Sequence, residues 1–594
     1  MKKYISVTCL FLLIGLSVAT SQVQMEKLNR ALIAIRTGDS EVYLGWRLFK
    51  DDPKGVGFNL YRDGVLLNDA PIVNSTNYLD KTKQDGVYTL EIATATDSKA
   101  ERKPIASAEL WSQNYLEIPL DRPKGGTTPD GVDHTYSPND ASVADLDGDG
   151  EYEIVLKWAP SNGKDNSHEG YTGNVYIDAY KFSGQRLWRI DLGVNIRAGA
   201  HYTQFIAYDL DGDGKAEVAC KTADGTKDGL GNILGDGNAD YRNAVGRIIE
   251  GPEYLSVFDG LTGGALSTVL YVPERGDVGA WGDVHGNRVD RFLAAVAYLD
   301  GKHPSLVMCR GYYTRSVIAA WDLVDGELKQ RWVFDSDSPG NEGYAGQGNH
   351  NLSIADVDGD SKQEIIYGSM SVDDDGQGLY TTGLGHGDAL HVSDFDPSIP
   401  GLEVFMPHEN KRDGITFRKA KTGEVIWQHR KKIDVGRGLA ADIDSSHVGA
   451  EFWAQGDMGV YNVKGGQISD KIPPINFAIW WDGDLQRELL DGNRISKYGV
   501  GIIFTAEQCL SNNWTKATPC LQADLFGDWR EEVIFRTQDN NALRIYMNPE
   551  ISEFRIPTLM QDLQYRMAVV WQNSGYNQPP WPSFYIGSGM SLKW

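Results

Sequence analysis

Asp145-Leu146-Asp147-Gly148-Asp149-Gly150-Glu151-Tyr152-Glu153 places carboxylates at alternate positions around two glycines, and the chain then repeats it. Near-intact copies follow at Asp209-Leu210-Asp211-Gly212-Asp213-Gly214-Lys215-Ala216-Glu217 and Asp356-Val357-Asp358-Gly359-Asp360-Ser361-Lys362-Gln363-Glu364. Worn copies are Asp394/Asp396 with Glu403, Asp442/Asp444 with Glu451, Asp482/Asp484 with Glu488, and Asp524/Asp528 with Glu531 or Glu532. A degenerate one fits at Tyr298-Leu299-Asp300-Gly301-Lys302. About eight units at a spacing of roughly 40–60 residues mark a propeller. Carboxylates at positions 1, 3 and 5 of a Gly-turned loop supply the hard oxygen ligands that Ca²⁺ requires. The closing Glu stands at position 9 and runs into apolar, β-branched sequence (Glu153-Ile154-Val155-Leu156, Glu217-Val218-Ala219-Cys220, Glu364-Ile365-Ile366-Tyr367), so the loop leads into a strand where an EF-hand leads into a helix. The expectation is an all-β chain: an eight-bladed β-propeller whose blades are each pinned by calcium.

An insertion between Asp224 and Asp240, carrying Asp228, Asp236 and Asn238 as well, is too long for a blade turn and rich in oxygen ligands. Asp224, Asp236 and Asp240 are therefore candidate ligands of a second kind of cation loop. The 594 residues contain 66 Gly, 16 Trp and 28 Tyr, which suits many short strands, tight turns and aromatic surfaces. A formal net charge of −25 excludes nucleic-acid binding through phosphates. A polyanionic substrate would be tolerated only where bound cations or local Arg and Lys reverse the sign.

Residues 22–118 read differently. Glu41-Val42-Tyr43-Leu44-Gly45-Trp46, Phe58-Asn59-Leu60-Tyr61 and Gly86-Val87-Tyr88-Thr89-Leu90 alternate as strands around turns. An early Trp and a late Tyr suggest a fibronectin type III-like β-sandwich ahead of a propeller at 119–594. Residues 1–21 read as a secretory leader: Lys2 and Lys3 precede an apolar run from Ile5 to Val18 that ends in Ala19-Thr20-Ser21. No other segment is apolar enough to cross a bilayer, so a secreted or periplasmic monomer is expected. Cys220 and Cys309 lie in apolar strand patterns and are read as buried thiols. Cys509 and Cys520 flank a polar loop; a disulfide closing it is the favoured reading, two free thiols the alternative.

Several blocks resemble the rhamnogalacturonan lyases of polysaccharide lyase family 11. They are Ser137-Pro138-Asn139-Asp140-Ala141, Arg197-Ala198-Gly199-Ala200-His201-Tyr202, Lys221-Thr222-Ala223-Asp224, Gly348-Asn349-His350-Asn351, Gly383-Leu384-Gly385-His386-Gly387-Asp388, Asp524-Leu525-Phe526-Gly527-Asp528-Trp529-Arg530 and Gly575-Tyr576-Asn577-Gln578. The similarity spans the sandwich as well. It implies calcium-assisted β-elimination in the rhamnogalacturonan-I backbone of pectin, between rhamnose and galacturonate. That chemistry removes a weakly acidic proton α to a carboxylate. A cation or Arg/Lys on the carboxylate must stabilise the enolate-like transition state, while one group takes the proton and another supplies one to the leaving oxygen.

The resemblance carries His350, His386 and Asp388 to a cation site facing the substrate. Lys516 and Tyr576 become the proton-transfer pair, with their order open, and Asn139, Arg437, Asn513 and Thr515 become substrate contacts. Two positions depart from the family pattern. Ala159 follows Lys157-Trp158 where a carboxylate is usual, and Trp514 replaces the Gly of Asn-Gly-Thr-Lys. The rival readings are an integrin-like calcium propeller that binds without turnover, and a hydrolase needing two opposed carboxylates. The absence of an insertion beside Met406-Pro407-His408-Glu409-Asn410-Lys411 leans towards endo action.

Overall fold

The computed structural model describes residues 23–93 and 104–590; the leader expected at 1–21 lies outside them. The chain is all-β, with one α-helix, Leu563–Trp571, among the described residues. Near the N-terminus two four-stranded sheets face each other. One holds Ile33–Gly38, Glu41–Gly45, Asn77–Asp80 and Leu110–Trp111, the other Gly57–Arg62, Val65–Leu66, Tyr88–Ala93 and Ala106–Ala108. Their inward residues Val42, Leu44, Phe58, Leu60 and Leu90 enclose Trp46 and Tyr88, as the alternation along these strands requires.

Seven four-stranded antiparallel sheets then follow in chain order, and an eighth has five strands. Their second strands show why the acidic repeat builds them. Glu153, Glu217, Glu364, Glu403, Glu451, Glu488 and Glu532 are each the first residue of a second strand. In every case the Glu Oε2 accepts the amide that opens its loop: Leu146 at 2.9 Å, Leu210 at 2.8 Å, Val357 at 2.6 Å, Phe395 at 2.9 Å, Ile443 at 2.9 Å, Trp481 at 3.1 Å and Leu525 at 2.6 Å. One carboxylate thus staples first strand to second in seven of the eight sheets. The ambiguity at the last repeat is resolved, because Glu532 closes the loop while Glu531 turns inward to Arg487 and Tyr565.

The first strands of successive sheets pack side by side, as with Tyr136–Ala144 on Phe205–Tyr208 and Phe205–Tyr208 on Phe292–Ala297. The eighth sheet packs on the first. Its outermost strand is Tyr115–Pro119, which reaches it from just before the first sheet and pairs with Ala542–Tyr546. Helix Leu563–Trp571 is capped by Asp562, whose carboxylate accepts the Tyr565 amide, and nearly all its residues are buried. The helix and the segment after it donate side-chain hydrogen bonds to strand carbonyls all round. Arg566 reaches Val143, Gln564 reaches Val392, Gln572 reaches Gln522, Asn573 reaches Phe205 and Ser574 reaches Ala294. This run is an axle bonded to five different sheets.

The bridge expected between Cys509 and Cys520 does not form. Both thiols are free, as are Cys220 and Cys309, and all four are buried. Cys509 pairs in register with Thr537 and sits in a cluster with Phe535 and Tyr546. Cys520 belongs to a separate cluster around Leu521 and Ile534, where its sulfur accepts from Asn512 Nδ2 at 3.2 Å. The intervening loop is closed instead by reciprocal backbone bonds between Asn512 and Thr518. A disulfide around such a loop would contribute roughly 2–4 kcal/mol. Reductant is therefore expected to leave the Tm unchanged, and a fall of several degrees in calorimetry would reveal a bridge.

Candidate active site

The loops ahead of several sheets converge at one end of the axle. His350 leads into the fourth sheet, His386 and Asp388 into the fifth, and Glu409 follows strand Glu403–Pro407. One ligand atom from each of these four lies within 4.8 Å of the others. The sequence reading had the first three. It missed Glu409, although that residue stands in the quoted block Met406-Pro407-His408-Glu409.

The electrostatics of this cluster favour a positive partner. Glu409 is pushed up to about 8, by burial first and then by the carboxylate of Asp388 beside it. His386 uses Nδ1 on the Gly348 carbonyl at 2.7 Å, which leaves Nε2 buried without a partner and facing Glu409 at 3.9 Å. Burial holds His386 down at about 4 and His350 well below the ordinary range, so both are neutral lone-pair donors. His350 Nε2 lies 3.4 Å from Asp388 and 2.9 Å from the Tyr313 hydroxyl. Two neutral imidazoles beside two crowded carboxylates fit a divalent cation.

Lys516, Tyr576 and Arg437 border this cluster. Lys516 Nζ is 3.0 Å from Asp388 Oδ2 and 3.9 Å from the centre of the Tyr576 ring. Burial depresses its pKa; Asp388 opposes that and the guanidinium of Arg437 adds to it. Tyr576 stacks on the His350 imidazole, 4.1 Å between centroids with planes 10° apart. Its amide donates to the His350 carbonyl at 3.0 Å. Gly575 allows this approach, because its φ is 59° and a Cβ there would collide with that carbonyl. Burial, then Asp388, raise the Tyr576 phenol above its ordinary value. Arg437 is buried, its Nε and Nη1 have no partner, and desolvation lowers it to about 10. A buried guanidinium with unused donors is a ready seat for a carboxylate.

The Lys516 loop is held in place by amides. Asn513 Nδ2 donates to Asp140 at 3.1 Å, Thr518 at 2.8 Å and Asn577 at 3.1 Å, while Asn139 Nδ2 donates to Asn513 Oδ1 at 3.2 Å. Asn139 and Asn513 thus tie this loop to the first sheet and to the segment carrying Tyr576. Asp140, itself paired with Lys157 at 2.6 Å, is the hub of the knot and was not singled out in sequence. Thr515 is exposed at the rim.

The acidic loops form further clusters away from this site. Asp145, Asp147 and Glu153 converge, as do Asp209, Asp211 and Glu217, and Asp356, Asp358 and Glu364; Asp360 joins Glu364 and Asp374 in another. The carboxylates of Asp149 and Asp213 accept the amides of Glu151 and Lys215. In the worn copies Asp394 Oδ1, Glu403 Oε1 and Glu451 Oε1 are buried without hydrogen-bond partners, as is Glu364 Oε1. Asp396 pairs with Lys464 at 2.6 Å, Asp442 accepts from Tyr585 at 2.6 Å, and Asp444 accepts from Ser446. Burial, reinforced by neighbouring loop carboxylates, pushes Glu217, Glu364 and Glu403 up to about 8 and Glu451 to about 9. Buried acids with one oxygen spare fit a cation. The insertion is bonded differently: Asp224 accepts from Tyr241 and Tyr254, Asp236 from the Asn238 amide, and Asp240 pairs with Arg242.

Two family models divide the chain. Residues 115–593 match the C-terminal domain of rhamnogalacturonan lyase family 11, and residues 23–111 match the rhamnogalacturonan I lyase beta-sheet domain. Rhamnogalacturonan endolyase YesW of Bacillus subtilis (strain 168) is 56% identical over 99% of this chain and 96% of its own length. Rhamnogalacturonan exolyase YesX of the same organism is 57% identical over 96% of each. The crystal structure of YesX superposes with a TM-score of 0.94 at 56% identity, covering 96% of this chain and 98% of that one. The Bacillus licheniformis rhamnogalacturonan lyase PL11 gives 0.94 at 57% identity, with 96% and 99% covered. With both family models matched and relatives this similar along nearly its whole length, the chain belongs to rhamnogalacturonan lyase family 11.

Proposed function

We propose that this chain is a secreted rhamnogalacturonan lyase that cuts the rhamnose–galacturonate bond of rhamnogalacturonan I by β-elimination. The observation that carries the reading is the convergence of Lys516, Tyr576 and the guanidinium of Arg437, with two donor nitrogens unpaired, on the His350/His386/Asp388/Glu409 cluster. The eight successive sheets are read as blades of an eight-bladed propeller, preceded by a fibronectin type III-like sandwich at 22–118. The leader at 1–21 takes the chain out of the cytoplasm.

In this reading Arg437 receives the uronate carboxylate in a water-poor pocket, where its charge acts strongly on the developing enolate. Lys516 is the base, because burial lowers its affinity for a proton. Tyr576 is the acid, because burial keeps its phenol protonated, and its hydroxyl supplies the proton to the departing oxygen. His350, His386, Asp388 and Glu409 would hold a Ca²⁺, which would supply positive charge next to the uronate carboxylate. The loops at Asp145, Asp209 and Asp356, with their worn relatives, would hold structural Ca²⁺. Action is internal, since only the short connection 408–414 links strands Glu403–Pro407 and Ile415–Lys419 beside the site.

Incubation with rhamnogalacturonan I should release a product absorbing in the ultraviolet as an unsaturated uronate does, with a rapid fall in polymer size. Reducing ends without absorbance would point to hydrolysis. Absorbance with the polymer length retained would point to exo action.

A further inference from the structure

We propose that Trp514 is a sugar-stacking platform, a specificity-determining residue that seats the pyranose ring next to the reacting uronate; this rests on the lyase reading above. The indole is 91% exposed, more than any other large apolar side chain described, whereas Trp46, Trp158, Trp281, Trp453, Trp480 and Trp529 are fully buried. An indole left in water gives up the burial that makes this residue valuable to a fold. Its backbone is also unfavourable. Trp514 has φ 48°, in the left-handed region that suits glycine, with Asn513 at 57° and Ala517 at 49° around it. Strained residues of this kind persist where the surroundings fix them, and they gather at ligand sites.

The surroundings here do fix it. Asn513, the residue before, is bonded to Asp140, Thr518 and Asn577, and the Trp514 carbonyl accepts the Ala517 amide at 3.0 Å. The loop is a mount and not a slack tip. Two residues on stands Lys516, so the two Cα atoms are at most roughly 7 Å apart along the chain. The exposed indole is therefore carried on the same short turn as the amine that meets the uronate. The C–H face of a pyranose ring is the surface that an exposed indole at this place can cover. Thr515 and Asn513 offer hydroxyl and amide groups to its edge.

The test compares the intact protein with Trp514→Gly and Trp514→Phe, by the ultraviolet absorbance of unsaturated uronate released from rhamnogalacturonan I. Trp514→Gly should raise KM about tenfold, with kcat within about threefold, since the stacked ring is held alike in ground and transition states. Trp514→Phe should fall between. Glycine suits the left-handed backbone, so the Tm should hold or rise, and loss of folding cannot mimic the effect. In a Lys516→Ala background, which binds without cutting, the polymer should quench fluorescence less once Trp514 is replaced. An unchanged KM in Trp514→Gly would overturn the proposal. So would loss of self-association in sedimentation with KM unaltered, because the indole would then face a second copy of the chain. No absorbance from the unaltered protein would defeat the lyase reading itself, and the quenching comparison would still decide whether the indole meets sugar.

Discussion

Lys516→Ala is expected to lower the rate of unsaturated-uronate release by about 10³-fold, within the range that a positioned acid or base supplies. The Tm should move little, because the side chain is partly exposed and its one ion pair is with Asp388. Lys516→Arg decides between a base and a mere clamp. Arginine keeps the positive charge next to Asp388 but cannot give up its proton, so it should be nearly as inactive as alanine. Recovery of more than a tenth of the activity would assign Lys516 to charge stabilisation. The pH profile has a definite direction as well. Burial depresses the Lys516 pKa, so the ascending limb of kcat/KM should lie below the ordinary lysine range. The Tyr576 phenol is raised, so activity should fall only above the ordinary tyrosine range. A profile falling through neutral pH would count against Lys516 and Tyr576 as the titrating pair.

Removal of divalent cations is expected to have the largest effect on stability. A site kept at 100 times its dissociation constant contributes ~2.7 kcal/mol, so the three intact loops together contribute about 8 kcal/mol. An unfolding entropy of ~2.1 cal/mol/K per residue makes this a fall in Tm of about 6–7 °C on chelation for a chain of this size. The effect should grow with pH. Glu217, Glu364 and Glu403 have folded values of about 8, against 4.5 in the unfolded chain. The folded cation-free protein binds more protons than the unfolded one over that window. Its stability therefore declines as pH rises from about 4.5 to about 8. Differential scanning calorimetry with calcium and with chelator, at pH 5 and pH 8, should show the gap widening at pH 8. Equal curves with and without chelator would remove calcium from the loops.

The architecture was readable because one chemical unit was repeated. The Glu at position 9 both ends the acidic loop and begins a strand, so spacing alone located the second strand of seven sheets. The N-terminal pair of sheets showed itself through simple alternation around Trp46 and Tyr88. The candidate site was readable only through resemblance, since no local pattern ties His350, Asp388, Arg437, Lys516 and Tyr576 together. They meet because loops from different sheets end at the same place. Glu409 and Asp140 were missed for the same reason: no local pattern marks either, and only the fold brings Glu409 to the cluster and Asp140 to the knot behind Lys516. The disulfide failed because sequence gave the separation of Cys509 and Cys520 along the chain but not their seats in separate hydrophobic clusters.

The axle imposes an order on the making of this protein. Strand Tyr115–Pro119 is synthesised early, yet its partner Ala542–Tyr546 comes more than four hundred residues later. Helix Leu563–Trp571 and Tyr576 come later still. The sheets can form locally as the chain emerges, whereas contacts of such long separation close last. The stacking of Tyr576 on His350 joins the end of the chain to its middle, so on the role proposed for Tyr576 chemistry would begin only when assembly is complete. On the role proposed for Tyr576, turnover is accordingly a reporter of fully folded molecules, and a chain clipped between Tyr546 and Tyr576 would lose its catalysis.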